Sequence, residues 1–131
     1  MKGIDTNVLV RYLVQDHKQQ SAKAARFIEQ NCTPDNPCQV GHIVLAELVW
    51  VLSSNYKQTR EEIALVIERL LEAGEMNVMD SAVVWKSLKD YRASNVDFSD
   101  HLIARQNEYT GCASTVTFDK KAARQPAFEI L

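Results

Sequence analysis

Four carboxylates occupy positions where an acid is unusual and where it could do chemistry: Asp5, Glu47, Asp100 and Asp119. Asp5 falls where a short apolar run, Met1–Asp5, reads as a first strand ending. Glu47 is the one charge in an apolar helical stretch, Ile43-Val44-Leu45-Ala46-Glu47-Leu48-Val49-Trp50. Asp100 lies in the first turn of a helix opened by Asp97, and Asp119 follows the β-branched segment Ser114–Phe118. Each also has an ordinary reading. Asp5 and Asp97 suit helix caps, Asp100 is favoured by the helix dipole, Asp119 could be a loop acid, and Glu47 could pair with Arg11 or Arg105. Taken together, the acids point to a cation, because several carboxylates in one pocket cannot all ionise unless a positive charge compensates them. Ligands that are all oxygen suit Mg²⁺ or Mn²⁺ rather than zinc. Such an ion polarises a phosphate and lowers the pKa of a bound water.

The elements that must position these acids follow from periodicity and punctuation. Helices are expected over Asn7–Val14, Gln19–Asn31, His42–Tyr56, a capped segment from Thr59-Arg60-Glu61-Glu62 to Leu71, Ser81–Ala93, and Asp97 to Thr110. Strands are expected at Met1–Asp5, Met76–Met79, Ala113–Phe118 and Phe128–Leu131, with a polar turn at Asp119–Arg124. Strands alternating with helices predict an α/β domain with a mainly parallel sheet, where ligands gather at the carboxyl ends of strands. Trp50, Trp85, Tyr12 and Phe27 are expected in the core. No linker or repeat interrupts residues 1–131, which read as a single domain.

The sequence of acids and their neighbours resembles the PIN-domain family, and within it the VapC toxins of toxin–antitoxin pairs. Asp5-Thr6-Asn7 after a strand, Glu47 within Leu-Ala-Glu-Leu-Val-Trp, Asp100 within Asp-Phe-Ser-Asp-His-Leu-Ile-Ala and Asp119 within Thr-Phe-Asp-Lys-Lys carry the likeness, which extends from Gly3 to Leu131. The resemblance implies an α/β/α sandwich around a mainly parallel central sheet and an Mg²⁺- or Mn²⁺-dependent endoribonuclease. It assigns the catalytic quartet to Asp5, Glu47, Asp100 and Asp119, with Asp5, Asp100 and Asp119 as metal ligands and Glu47 orienting water or a second ion. Thr6, Asn7 and Thr117 match supporting positions. A small VapB-like antitoxin and a second copy of the chain are the partners it implies, with the helices at Val8–Leu13 and Ile63–Leu71 as surfaces for them. His101, beside Asp100, departs from the small residue common there and reads as a surface histidine.

Composition sets conditions on this picture. The 131 residues carry 15 Lys and Arg against 17 Asp and Glu, a formal net charge of −2. A protein that held RNA by bulk charge would be basic. RNA binding should therefore depend on the metal and on a few flanking cations, for which Arg11, Arg105, Lys120 and Lys121 are candidates, although each could equally be solvated or paired within the chain. No apolar run approaches the ~20 residues of a membrane span and no secretory leader is visible, so a cytoplasmic protein is expected. Of the three cysteines, Cys32 and Cys38 could close a small loop, but two intervening prolines and an odd third thiol favour reduced cysteines. A phosphorylated receiver domain is the competing class, with Asp80 as acceptor and Thr117 and Lys120 as switch residues. It wants a second acid next to Asp5, where Thr6 stands, and leaves Glu47 unexplained. A phosphatase with an Asp nucleophile wants an acid where Asn7 stands.

Overall fold

Asp5 ends the extended N-terminal segment and begins the first helix, so the fold is best followed from there. The computed structural model describes residues 1–131, which divide into two compact units, Met1–Met79 and Asp80–Leu131.

In the first unit the order is α1 (Thr6–Val14), α2 (Lys18–Asn31), β1 (Cys38–Val40), α3 (His42–Ser54), α4 (Arg60–Glu72) and β2 (Met76–Val78). β1 and β2 pair in parallel, Cys38 opposite Met76 and Val40 opposite Val78. A parallel pair needs a long crossover, and α3 with α4 supplies it. The expected N-terminal strand is reduced to one parallel bridge, Gly3 to Gln39, held by Ile4 N–H donating to the Gln39 carbonyl (3.0 Å) and Gln39 N–H donating to the Lys2 carbonyl (2.7 Å). Only Ile4 of that segment is buried, so a single residue anchors it. β1 itself is not legible in the sequence, since three residues are too few to show alternation. Leu9, Ile28, Val40, Leu45, Leu48, Leu52, Ile63 and Ile67 are fully buried and form the core where α1, α2, α3 and α4 pack.

α3 corrects the expectation of a helix buried all round. Its buried face is Leu45, Leu48 and Leu52, whereas Ile43 and Trp50 are 79% and 65% exposed. Trp85 is exposed as well, and Tyr12 and Phe27 are only half-buried, so none of the four expected core aromatics is fully inside.

Cys32 and Cys38 are joined in a disulfide, against the expectation of reduced thiols, while Cys112 is free and exposed. The loop between them turns back on itself, with the Thr33 and Asn36 backbones exchanging hydrogen bonds, which brings the end of α2 to the start of β1. Closing a loop with a sequence separation of 6 restricts the unfolded chain. Reduction is expected to cost roughly 2–3 kcal/mol and to lower Tm by about 10 °C, measured by thermal unfolding with and without a thiol reductant. A Cys32→Ser, Cys38→Ser double variant should melt at the reduced temperature in both buffers.

The start of α4 realises the capping box read from the sequence. Glu62 N–H donates to Thr59 Oγ1 (3.2 Å) and Thr59 N–H donates to Glu62 Oε1 (2.8 Å). The bonds from Thr59 hold the Glu62 carboxyl below its ordinary pKa. Thr59→Ala is expected to cost about 1 kcal/mol. Because the folded pKa is depressed, the contribution of Glu62 is present above its unfolded pKa and is lost as pH falls through the folded one. The stability difference between wild type and Glu62→Ala, followed by urea unfolding, should thus shrink from pH 7 into the acid range.

In the second unit the order is α5 (Ser81–Arg92), α6 (Phe98–Tyr109), β3 (Thr115–Thr117), a 3₁₀ turn (Ala122–Arg124) and β4 (Phe128–Ile130). β3 and β4 are parallel, Thr115 opposite Phe128 and Thr117 opposite Ile130. α5 packs on α6, and Tyr91 meets Phe98 edge-to-face with ring centroids 5.7 Å apart. Gly111, at φ 102°, carries the chain out past α6 in a conformation that costs a residue with a Cβ dearly. Helices thus alternate with strands that pair only in parallel, the α/β class expected, with one two-stranded ladder in each unit. No helix is long and apolar enough to cross a membrane.

Candidate active site

The four acids fall into two groups, one in each unit. In the first, Asp5 is the N-cap of α1, extended at φ −79°, ψ 158°, and its Oδ1 accepts from Thr6 N–H at 2.8 Å. The next side chain makes the link that matters. Thr6, 7% exposed, donates its hydroxyl to Glu47 Oε1 at 2.7 Å. The end of the N-terminal segment and the middle of α3 are therefore joined through one buried threonine. Glu47 is not the desolvated charge its apolar neighbours suggested. It is exposed, on the outward face between Ile43 and Trp50, and its partner is Thr6 rather than Arg11 or Arg105. Asn7 is exposed and lines a cavity that Asp5 also borders.

In the second group, Asp100 stands half-buried in the first turn of α6. Burial raises its pKa most, the carboxylates of Asp97 and Asp119 raise it further, and the Lys121 ammonium partly offsets them. Asp97 occupies the N-cap by backbone, its carbonyl accepting from Asp100 N–H at 3.1 Å, but its side chain makes no capping bond. Its charge bears on Asp100 instead. This influence was absent from the sequence reading, although a spacing of three residues across a helix start was the signal for it. Asp119 Oδ1 accepts from Lys121 N–H (2.8 Å) and Ala122 N–H (3.2 Å), closing the turn after β3. Thr117 Oγ1 accepts from Asp119 N–H at 3.0 Å, so this strand threonine fixes the backbone of the acid two residues on.

His101 departs from expectation. It is 2% exposed, and Nε2 lies 2.7 Å from Ser94 Oγ, so it is a core residue on the inner face of α6 and not a surface one. Arg105 holds Asp90 through two hydrogen bonds (2.6 and 3.0 Å) and reaches Glu108 at 3.1 Å. Arg11 holds Gln20 at 2.7 Å and Asp16 at 3.3 Å. Both arginines thus have intramolecular partners, whereas Lys120 and Lys121 are exposed beside Asp119.

The donor set suits a hard cation in kind. The acids offer only oxygen, and at Asp100 burial first and the charges of Asp97 and Asp119 second disfavour ionisation, a penalty that a divalent ion would relieve. As the side chains stand, no three His, Cys, Asp or Glu are gathered into a ready shell for a metal.

A VapC ribonuclease from Aquifex aeolicus (strain VF5) is 27% identical over 121 residues, covering 92% of this chain and 89% of that protein. Asp80, the acceptor of the receiver reading, stands at the N-cap of α5 in the left-handed region at φ 47°. The PIN-domain sequence model matches residues 3–128, nearly the whole chain, and the protein belongs to the PIN-domain family.

Proposed function

We propose that this chain is a divalent-metal-dependent endoribonuclease and the toxin of a toxin–antitoxin pair, with residues 1–131 acting as one nuclease domain in the cytoplasm. The observation that carries the reading is the pair of acidic groups. Asp5 and Glu47 are tied by Thr6, and Asp100 is half-buried within the electrostatic influence of Asp97 and Asp119. The name of the Aquifex relative, a ribonuclease, supports the choice of substrate.

In this reading Asp5, Asp100 and Asp119 hold Mg²⁺ or Mn²⁺. When bound, such an ion acidifies a water and offsets charge on the scissile phosphate. Asp5 presents a carboxylate already oriented by its cap bond to Thr6. Glu47 has one oxygen engaged by Thr6 and holds the attacking water, or a second ion, through the other. Thr117 fixes Asp119, and Lys120 and Lys121 grip flanking phosphates, which carries little sequence information. No covalent enzyme intermediate is required. A small VapB-like antitoxin restrains the activity, and a second copy of the chain completes a homodimer.

The test is cleavage of RNA by purified protein with Mg²⁺ or Mn²⁺, against a chelator and against Asp5→Asn. Cleavage that needs the metal and is lost in Asp5→Asn is expected; metal-independent cleavage, or equal activity in both proteins, rejects the reading. Thr6→Val should lower the rate about 10–100-fold with its hydroxyl gone, and Thr6→Ser should restore most of it. A short reading frame beside the gene, whose product copurifies and inhibits, checks the antitoxin.

A further inference from the structure

The first unit contains a cavity of about 490 Å³ between α1 and α2, with Asp5 on its lip. Its volume is in the range of small-ligand sites. Val8, Ala24 and Phe27 make it mostly apolar, while Asn7 and Lys23 supply polar groups at its edge. Asp5 is the single acid on the wall; of the two cations there, Arg11 is engaged by Gln20 and Asp16, and Lys23 is exposed. A third cation, the Lys2 ammonium, stands 5.4 Å from the centre of the Phe27 ring. Apolar walls suit the faces of a base, an amide offers both a donor and an acceptor to a base edge, and the lysine ammonium groups suit phosphate. An acidic or strongly apolar peptide would match the charge or the walls, but would leave the Asn7 amide and the position of Asp5 without a use.

We infer that this cavity seats the nucleobase of a nucleotide adjoining the scissile phosphate, with Asn7 at the base edge and Lys23 on the phosphate. The inference rests on the nuclease reading above and adds to it a base-selecting pocket on the Asp5 side.

The experiment uses the whole chain and a fluorescein-labelled single-stranded RNA of about twelve nucleotides, long enough to exceed a minimal single-strand site. Affinity is measured by anisotropy without divalent metal, and cleavage kinetics and cut-site sequences are measured with Mg²⁺. Val8→Trp fills the cavity and Lys23→Glu reverses an exposed charge at its rim. Each is expected to weaken binding about tenfold and to raise KM while kcat stays within about twofold. Val8→Trp should also flatten the base preference beside the cut, a change that a merely structural defect would not produce. If Val8→Trp fails to fold, Lys23→Glu decides by its affinity and KM. The proposal is overturned if the variants still cut RNA with unchanged affinity and base preference. It is also overturned if Val8→Trp loses a bound small protein partner while its RNA affinity holds, which would make the groove a protein surface. Wild-type protein that neither binds nor cuts RNA rejects the nuclease reading, and the pocket with it.

Discussion

Asp100→Asn is expected to reduce RNA cleavage by at least about 100-fold while making the protein more stable at pH 7. The activity loss follows from its proposed place in the metal site: disturbing the supports of a metal ligand already costs about 10–100-fold, and removing a ligand's charge should cost more. The stability gain follows from what surrounds it. Asp100 is half-buried and feels the negative charges of Asp97 and Asp119, so its ionised form is disfavoured in the folded chain. A folded pKa raised above the unfolded one means that the penalty is absent below the unfolded pKa and grows as pH rises through the carboxylate range. An amide at this position removes the penalty. Melting curves at pH 7 and in acid should show Asp100→Asn above wild type at pH 7, and the gap should close in acid. Saturating Mg²⁺ should narrow the gap from the other side, by stabilising wild type alone. An Asp100→Asn protein that melts lower than wild type at pH 7 would show that the carboxylate is a structural partner and not a crowded ligand.

Phe98→Ala is expected to cost about 3–5 kcal/mol, the largest loss from any single truncation in the second unit. Phe98 is 1% exposed and is the first residue of α6, packed edge-to-face on Tyr91 of α5. Its ring pins the start of the helix that carries Asp100 two residues later. For a domain whose whole stability is about 5–15 kcal/mol, this removes a large share. Chemical denaturation measures it, with Phe98→Leu expected to lose much less because most of the volume is kept. A loss below about 1 kcal/mol for the Ala variant would mean that α6 is anchored elsewhere. Where Phe98→Leu remains folded, its RNA cleavage should fall further than its stability loss explains, because Asp100 moves with the helix start.

The elements that carry acids were largely legible from residue type. The capping box at Thr59 and Glu62, Gly111 after α6 and the cap position of Asp97 each depend on local chemistry within one turn of chain, and local chemistry is what a sequence displays. What escaped depends on contacts between distant segments. β1 is three residues long and exists because β2 pairs with it. The joining of Cys32 to Cys38 depends on how the intervening loop turns, and the prolines that argued against it lie within that turn. Glu47 drew attention because its helix looked buried on every side, yet α3 turns Leu45, Leu48 and Leu52 inward and leaves Glu47 outside. Its engagement by Thr6, and not its burial, sets the residue apart. His101 erred the other way, as a polar residue on the inner face of α6 bound to Ser94. The cavity beside Asp5 left no trace in the pattern, because voids belong to packing and not to periodicity.

The cap bond from Asp5 to Thr6 has a practical corollary for experiments on bound RNA. The same side chain starts a helix and, in the proposed site, carries negative charge, and these two duties are chemically separable. Asn offers an oxygen in the same place and caps helices as well as Asp does, whereas Ala would forfeit about 1 kcal/mol of helix start. On the proposed function, Asp5→Asn is therefore expected to silence the chemistry and leave α1 wound, giving a substrate trap from which intact RNA would be recovered and sequenced.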